Sequence, residues 1–256
     1  MGIGKLLYKD IPKLISAIRQ FSNSSRVDSR GLSFQILSDN WVTKFRARTF
    51  NEKEPEMLDW LDENLQEGDI FFDVGANVGI YSIYAALRKP TATIYAFEPE
   101  YSNLSLLKEN ILVNNLINKI YPFSLALGKD NNITNLHIAD TTPGAAVSAI
   151  SSEKLNKTHE GYDVIWKEGV MEMKLDEICA QLNIIPSMIK IDTDGNEKNV
   201  ILGAENTLKN KKLKYIILEK PSSKESLDFC YNYLNNLNFL EVDKSTQRNS
   251  FWEKKF

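Results

Sequence analysis

Residues 71–82 read FFDVGANVGIYS, and no other stretch constrains the fold as tightly. Ile70, Phe71, Phe72 and Val74 are apolar, interrupted by Asp73 alone. Gly75, Ala76, Asn77, Val78 and Gly79 follow, and then Ile80, Ile83, Tyr84 and Leu87 recur at helical spacing. This pattern predicts a buried parallel strand, a tight glycine turn and a helix. Glycine suits the turn because a side chain would hold the backbone off a ligand, and because φ > 0 is open to it. The helix after the turn presents free N–H groups and the positive end of its dipole.

The spacing narrows the ligand. A dinucleotide turn reads G-x-G-x-x-G, whereas this one reads D-x-G-x-x-x-G. A second apolar strand, TIYAF at residues 93–97, ends in Glu98-Pro99. Glu98 lies 19 positions after Gly79, where a ribose-binding acid falls in a nucleotide-binding βαβ unit. The third pyrophosphate glycine is missing. A ribose carrying a charged amino-acid tail therefore fits better than a ribose carrying phosphates, and the expected cofactor is S-adenosylmethionine.

At 256 residues the chain is long enough for one full domain with small additions. A formal net charge of −3 gives no reason to expect nucleic acid as a partner. The two cysteines, Cys179 and Cys230, each sit in an apolar helical pattern and read as core thiols. With His137 and His159 as the only histidines, a multi-histidine metal site is not expected. No run approaches ~20 apolar residues, the length a membrane span needs. The first residues lack the unbroken apolar block of a signal peptide, so the expectation is a cytoplasmic enzyme.

Residues 3–21 carry apolar side chains at helical spacing, with Lys5, Lys9, Lys13 and Arg19 among the polar positions. Such a helix covers the main domain or a partner, or makes peripheral contact with a membrane. Residues 22–30 read as a polar linker, and residues 32–37 and 41–46 as a hairpin around Ser38-Asp39-Asn40. Residues 1–50 are thus expected to form an extension, and 51–256 the main domain. Arg46 and Arg48 are either guides for an anionic substrate or solvated surface residues. Asn51 and Glu54 have capping-box spacing for a helix whose apolar face is Met57, Leu58, Leu61 and Leu65. Glu54 or Glu56 is a candidate contact for a cofactor's amino group, and capping and helix-dipole roles explain both at least as well.

A helix is expected over residues 102–114, with Leu104, Leu107, Ile111 and Leu112 inward, then a strand over 120–126. Ser124, Leu125 and Ala126 fall at its carboxyl end, where an adenine could rest. After a short strand at 133–139, residues 140–167 show weak periodicity and read as a substrate lid. His159 within it is a candidate base, though a lone loop histidine is more often simply exposed. A strand at 169–174, a helix at 175–182, a buried strand at 187–192, a helix through Val200, Ile201 and Leu208, a strand at 214–218 and another helix follow. Terminal strands at 239–242 and 250–253 complete the chain as a hairpin. The alternation predicts an α/β fold, a doubly wound and mostly parallel sheet with an antiparallel edge.

These residues resemble a known family. GDIFFDVGANVGIYS, IYAFEPE, MEMKLDEI, IKIDTDGNEKNVILGAE and the strand ending LEKP are similar to the motifs of the FkbM-type methyltransferases, a branch of the class I, Rossmann-like enzymes. The resemblance covers roughly residues 52–221, and the IKID run followed by D-G-x-E is its most specific part. Position 194 is Asp where the family more often has Glu. The resemblance implies a seven-stranded sheet and O-methylation of a sugar, glycan or small metabolite. It implies that Asp73, Gly75, Ala76, Asn77 and Gly79 form the cofactor turn, that Glu98 with Pro99 holds the ribose, and that Asp192, Asp194 and Glu197 lie beside the methyl donor.

Asp192 is the leading candidate for base or orienter, because a carboxylate inside an apolar strand is expensive without a role. Asp194 and Glu197 also have capping-box spacing, which needs no substrate. The three carboxylates could gather a magnesium ion, but no further ligand set accompanies them. A nicotinamide-dependent oxidoreductase is the rival reading; it lacks its third glycine and a Tyr-x-x-x-Lys pair. A non-catalytic cofactor-binding module is the other.

Overall fold

The computed structural model describes residues 23–159 and 161–255, so the helix expected at 3–21 lies outside the described residues. The described residues open with a hairpin of β1 (Ser24–Ser29) and β2 (Leu32–Leu37). Its two-residue turn is Arg30-Gly31, both at positive φ, the geometry that matches strand twist. This corrects two expectations. The supposed linker is β1, disguised because Val27 is its one apolar residue. The supposed second strand of a hairpin is α1 (Trp41–Lys53), opened by a capping box between Asn40 and Thr43. Asn51 is inside α1 and caps nothing. The next helix, α2 (Pro55–Asn64), starts on Pro55 at a first-turn position that needs no N–H.

From there the alternation holds. β3 (Ile70–Val74), α3 (Ile80–Arg88), β4 (Thr93–Phe97), α4 (Tyr101–Val113) and β5 (Ile120–Phe123) follow in turn. Leu104, Leu107 and Ile111 face inward from α4, whereas Leu112 is 49% exposed, against expectation. The strand expected over 120–126 is broken. β5 carries Pro122, which an edge strand tolerates, and β6 (Ala126–Leu127) leaves for a second sheet. That sheet runs β6, β9 (Trp166–Met173), β7 (Asn132–Ile138), β8 (Ser148–Ser151). The lid expected at 140–167 therefore contains a strand, β8, which pairs antiparallel with β7.

The rest of the chain is α5 (Leu175–Leu182), β10 (Met188–Ile191), α6 (Glu197–Leu202), α7 (Glu205–Lys209), β11 (Tyr215–Glu219), α8 (Lys224–Asn236), β12 (Phe239–Glu241) and β13 (Asn249–Lys254). The single helix expected through Leu208 breaks at Gly203, where a Cβ would lie 1.9 Å from the carbonyl oxygen of Gly128.

The main sheet has seven strands in the order β12-β13-β11-β10-β3-β4-β5. The neighbours from β11 to β5 are parallel, and β13 is antiparallel to both of its partners. The terminal hairpin does form, but its second strand slots inside the sheet. Burial explains this: Phe251 and Trp252 are both fully buried, while Leu240 of β12 is 49% exposed. Phe71 packs with helices α2 to α4, and Phe72 and Val74 pack with α5 to α8, so both faces of β3 are covered. Cys179 and Cys230 are buried thiols on the second face. No helix among the described residues is long and apolar enough to cross a membrane.

Candidate active site

The strand order reverses between β3 and β10, and in an open α/β sheet the crevice outside the carboxyl ends at such a point is where ligands bind. The sequence builds that crevice locally. Gly75 has φ +76 and its N–H, like that of Ala76, donates to Phe97 O at 3.0 Å. A Cβ on Gly75 would lie 1.8 Å from Asp192 O, so the turn after β3 rests directly on the end of β10. Asn77 is left-handed, φ +52, a conformation its short polar side chain tolerates. Its Oδ1 accepts from Val78 N at 2.9 Å and its Nδ2 donates to Ala145 O at 2.8 Å. Gly79, φ +80, opens α3.

Glu98 faces this turn from the end of β4. Its Oε2 accepts from Asn77 N at 2.8 Å and its Oε1 from Glu100 N at 2.9 Å. Burial pushes its carboxyl up to about 7, although these backbone bonds pull the other way. Asn103 accepts from Gly144 N at 2.6 Å and donates to Ala145 O at 3.2 Å. Asn77 and Asn103 together draw the start of the 140–167 segment over the turn.

The floor is charged. Lys190 of β10 is paired in register with Asp73 of β3. Its Nζ lies 3.1 Å from Asp73 Oδ1 and 3.2 Å from Asp192 Oδ2. Ser82 Oγ donates to the other Asp73 oxygen at 2.6 Å. Burial opposes the charge on Lys190, but Asp192 and Asp73 outweigh it and hold the ammonium above its ordinary range. The same pairing holds the Asp192 carboxyl below the usual carboxylate range despite burial. Glu219, at the end of β11, is pushed up by burial and by the negative Asp192 to which it is hydrogen-bonded.

Beyond them, Arg248 bonds Glu219 Oε1 at 3.0 Å through Nε and lies 3.4 Å from Glu54 Oε1. Tyr81 donates its hydroxyl to Glu54.

One cavity collects most of the residues singled out from sequence: Gly75, Ala76, Asn77, Glu98, Pro99, Leu125, Ala126, Asp192 and Asp194 line it. Four do not. Asp73 lies beneath the turn, tied to Lys190 and Ser82. Gly79 packs toward Leu107. Ser124 is exposed outside the cavity, and Leu127 takes the third place beside Leu125 and Ala126. Glu197 is buried, and its Oε1 accepts from Thr193 N, Thr193 Oγ1 and Gly195 N at 3.1, 2.9 and 3.0 Å. It braces the bend after β10, where Asp194 is left-handed at φ +52. The capping box expected between Asp194 and Glu197 does not form: the N-cap is Asn196, and its side chain makes no capping bond.

Asp192, Asp194 and Glu197 do not converge, and among the described residues no group of three or more metal-ligating side chains is placed to hold an ion. His159 is exposed and packs on Gly195, outside the cavity. Arg46 and Glu54 line the cavity; Arg48 and Glu56 do not. Sequence reasoning missed Lys190, Tyr81, Asn103, Ala145 and Arg248. Lys190 had a signal, a lone cation in the apolar strand SMIKI. The others are brought in by elements far away in the chain.

This strand order, with one antiparallel strand and an acid facing a glycine turn at the point of reversal, defines the Rossmann-like fold of class I methyltransferases. Within that class, the model of the methyltransferase FkbM domain matches residues 73–241, and the chain belongs to that family. The 31-O-demethyl-FK506 methyltransferase FkbM of Streptomyces tacrolimicus is 24% identical over 161 residues, 55% of this chain and 61% of that protein. The hexuronic acid methyltransferase AglP of Haloferax volcanii is 25% identical over 170 residues, 65% of this chain and 62% of that protein. The chain thus spans less than two thirds of the length of either relative. Among solved structures, a SAM-dependent methyltransferase from Agrobacterium tumefaciens superposes with a TM-score of 0.48 at 12% identity, over 91% of this chain and 71% of that one.

Proposed function

We propose that this chain binds S-adenosylmethionine in the cavity and carries its methyl group to an oxygen of a sugar, glycan or small-molecule acceptor. The observation that carries the reading is Glu98: a buried carboxylate at the tip of β4, fixed by two backbone N–H groups and facing a side-chain-free turn at Gly75. A pair of ribose hydroxyls suits that carboxylate, and the apolar wall of Leu125, Ala126 and Leu127 suits an adenine. Asp192 and Asp194 suit an ammonium. The cofactor would supply a methyl group made labile by its sulfonium.

The chain's own part is then to orient the acceptor and exclude water. Asp192 is the group placed for that. Because Lys190 keeps it ionised, it is better suited to accept a hydrogen bond from the acceptor hydroxyl and hold it in line than to remove its proton outright. The names of two relatives, one a 31-O-demethyl-FK506 and the other a hexuronic acid methyltransferase, support an oxygen-bearing acceptor and, in the second case, a sugar acid. Such precursors fit the cytoplasmic setting expected from the sequence.

Calorimetry with S-adenosylhomocysteine and, separately, NAD tests the cofactor. The expected result is binding of the first alone, weakened by about 1.5–3 kcal/mol in Glu98→Ala through lost charge-assisted hydrogen bonds. Binding of NAD instead would favour the oxidoreductase. Transfer of labelled methyl to sugar acceptors separates an enzyme from a binding module.

A further inference from the structure

Among the described residues, the cavity wall holds a half-buried cation with no anion beside it. Arg46, on α1, lines the cavity together with Tyr81, Glu98, Asp192 and Asp194. Its Nε donates to Gly144 O at 2.7 Å, which sets the plane of the guanidinium and leaves both terminal nitrogens without a protein acceptor among the described residues. No carboxylate among those residues lies within ion-pair distance of it. The other buried base of the wall, Lys190, is matched by Asp73 and Asp192, and Arg248 is matched by Glu219 and Glu54. Lys53, at the end of the same helix, also lines the cavity and makes no ion pair with the described residues, but it is exposed. Burial depresses the pKa of Arg46, against the pull of Asp192, Tyr81, Asp194 and Glu98. A desolvated charge is unfavourable until something matches it.

We propose that Arg46 is the receptor for the carboxylate of the cofactor's amino-acid tail. The proposal rests on the S-adenosylmethionine reading, in which one ammonium and one carboxylate enter the cavity together. Asp192 and Asp194 attract the first and repel the second. The guanidinium fork matches a carboxylate with two parallel N–H donors, a geometry a lysine does not reproduce. The bond to Gly144 adds preorganisation: Asn103 holds the N–H of the same residue, and Asn77 of the glycine turn holds Ala145 next to it. The receptor is thus tied to the turn over which the tail must lie.

The test compares two ligands by calorimetry on the full chain. S-adenosylhomocysteine has the tail; 5′-methylthioadenosine keeps the adenosine and sulfur and lacks it. Arg46→Gln is expected to weaken the first about 10- to 100-fold and to leave the second within about twofold, as loss of one charge-assisted pair requires. Arg46→Lys is expected to restore part of the loss. Unchanged affinity for S-adenosylhomocysteine in Arg46→Gln overturns the proposal. So does equal weakening of both ligands, which would make Arg46 a prop for the cavity's shape. If that variant instead loses glucuronate binding measured with S-adenosylhomocysteine present, the carboxylate is the acceptor's and the proposal falls. Failure of the parent protein to bind either nucleoside overturns the cofactor reading itself, a result distinct from all of these.

Discussion

Lys190 keeps its charge between Asp73 and Asp192, at 3.1 and 3.2 Å, with 2% of its side chain reached by water. Such an arrangement adds little net stability when intact, because desolvation offsets attraction, yet removing one member leaves the others buried and unmatched. Lys190→Met is therefore expected to destabilise the fold by about 3–5 kcal/mol in urea unfolding. Asp192→Asn keeps Asp73 as a partner for Lys190 and should fold. Its methyl transfer is expected to slow about 10- to 100-fold, as loss of an orienting group does; a fall beyond about 10³-fold would make Asp192 the base.

Glu98 makes the pH dependence explicit. Its carboxyl rises from an ordinary 4.5 to about 7 in the folded chain. Between those values the folded state holds a proton the unfolded state has released. Its contribution to stability therefore declines as pH rises through that window and is level above it. Binding of the proposed cofactor is expected to have the opposite slope, because ribose hydroxyls donate best to the ionised form. Affinity for S-adenosylhomocysteine should strengthen up to about tenfold per pH unit until about pH 7 and then flatten. Glu98→Gln should remove that slope in calorimetry across pH 5.5 to 8.

At the scale of elements, the turn between β3 and α3 contains two glycines with unequal surroundings. Both have positive φ, which disfavours any other residue by about 1–2 kcal/mol. A Cβ on Gly79 would meet Leu107 Cδ1 at 2.2 Å, the end of a side chain that can rotate. A Cβ on Gly75 would meet backbone, Asp192 O at 1.8 Å, and relief requires β3 and β10 to part. Gly79→Ala should lose about 1–3 kcal/mol and keep cofactor binding. Gly75→Ala should lose more in the same urea titration, and binding with it. The order reversed would mean that the contact between β3 and β10 is not what shapes the turn.

For the whole molecule, the sheet brings together residues from both ends of the chain. Glu54 precedes the first strand of the main sheet and Arg248 precedes the last, yet they lie 3.4 Å apart, because β13 inserts between β12 and β11. A ligand seated at the central crevice touches elements from α1 to β11 and should stabilise them as one unit. S-adenosylhomocysteine at 100 times its Kd is worth about 2.7 kcal/mol, which for a domain of this size raises Tm by about 5–10 °C. Scanning fluorimetry should show that shift with S-adenosylhomocysteine and none with NAD.

The alternation of β3, α3, β4 and α4, the glycine turn and the acid facing it were legible in the sequence because they are local: periodicity and spacing encode them within some 45 residues. The pattern WVTKFR was not legible, since its alternation suits a strand as well as a helix and the Asn40–Thr43 cap decides the matter. Nor was the role of Glu197, whose spacing suits a cap until the bend after β10 turns its carboxylate back on Thr193 and Gly195. Which acids face the cavity, which cation lies beneath it and which one is half-buried in its wall without an ion pair among the described residues depended on packing between strands and helices remote in the chain. Spacing along a backbone specifies local conformation; only the assembled sheet sets the distances between charges, and those distances govern their chemistry.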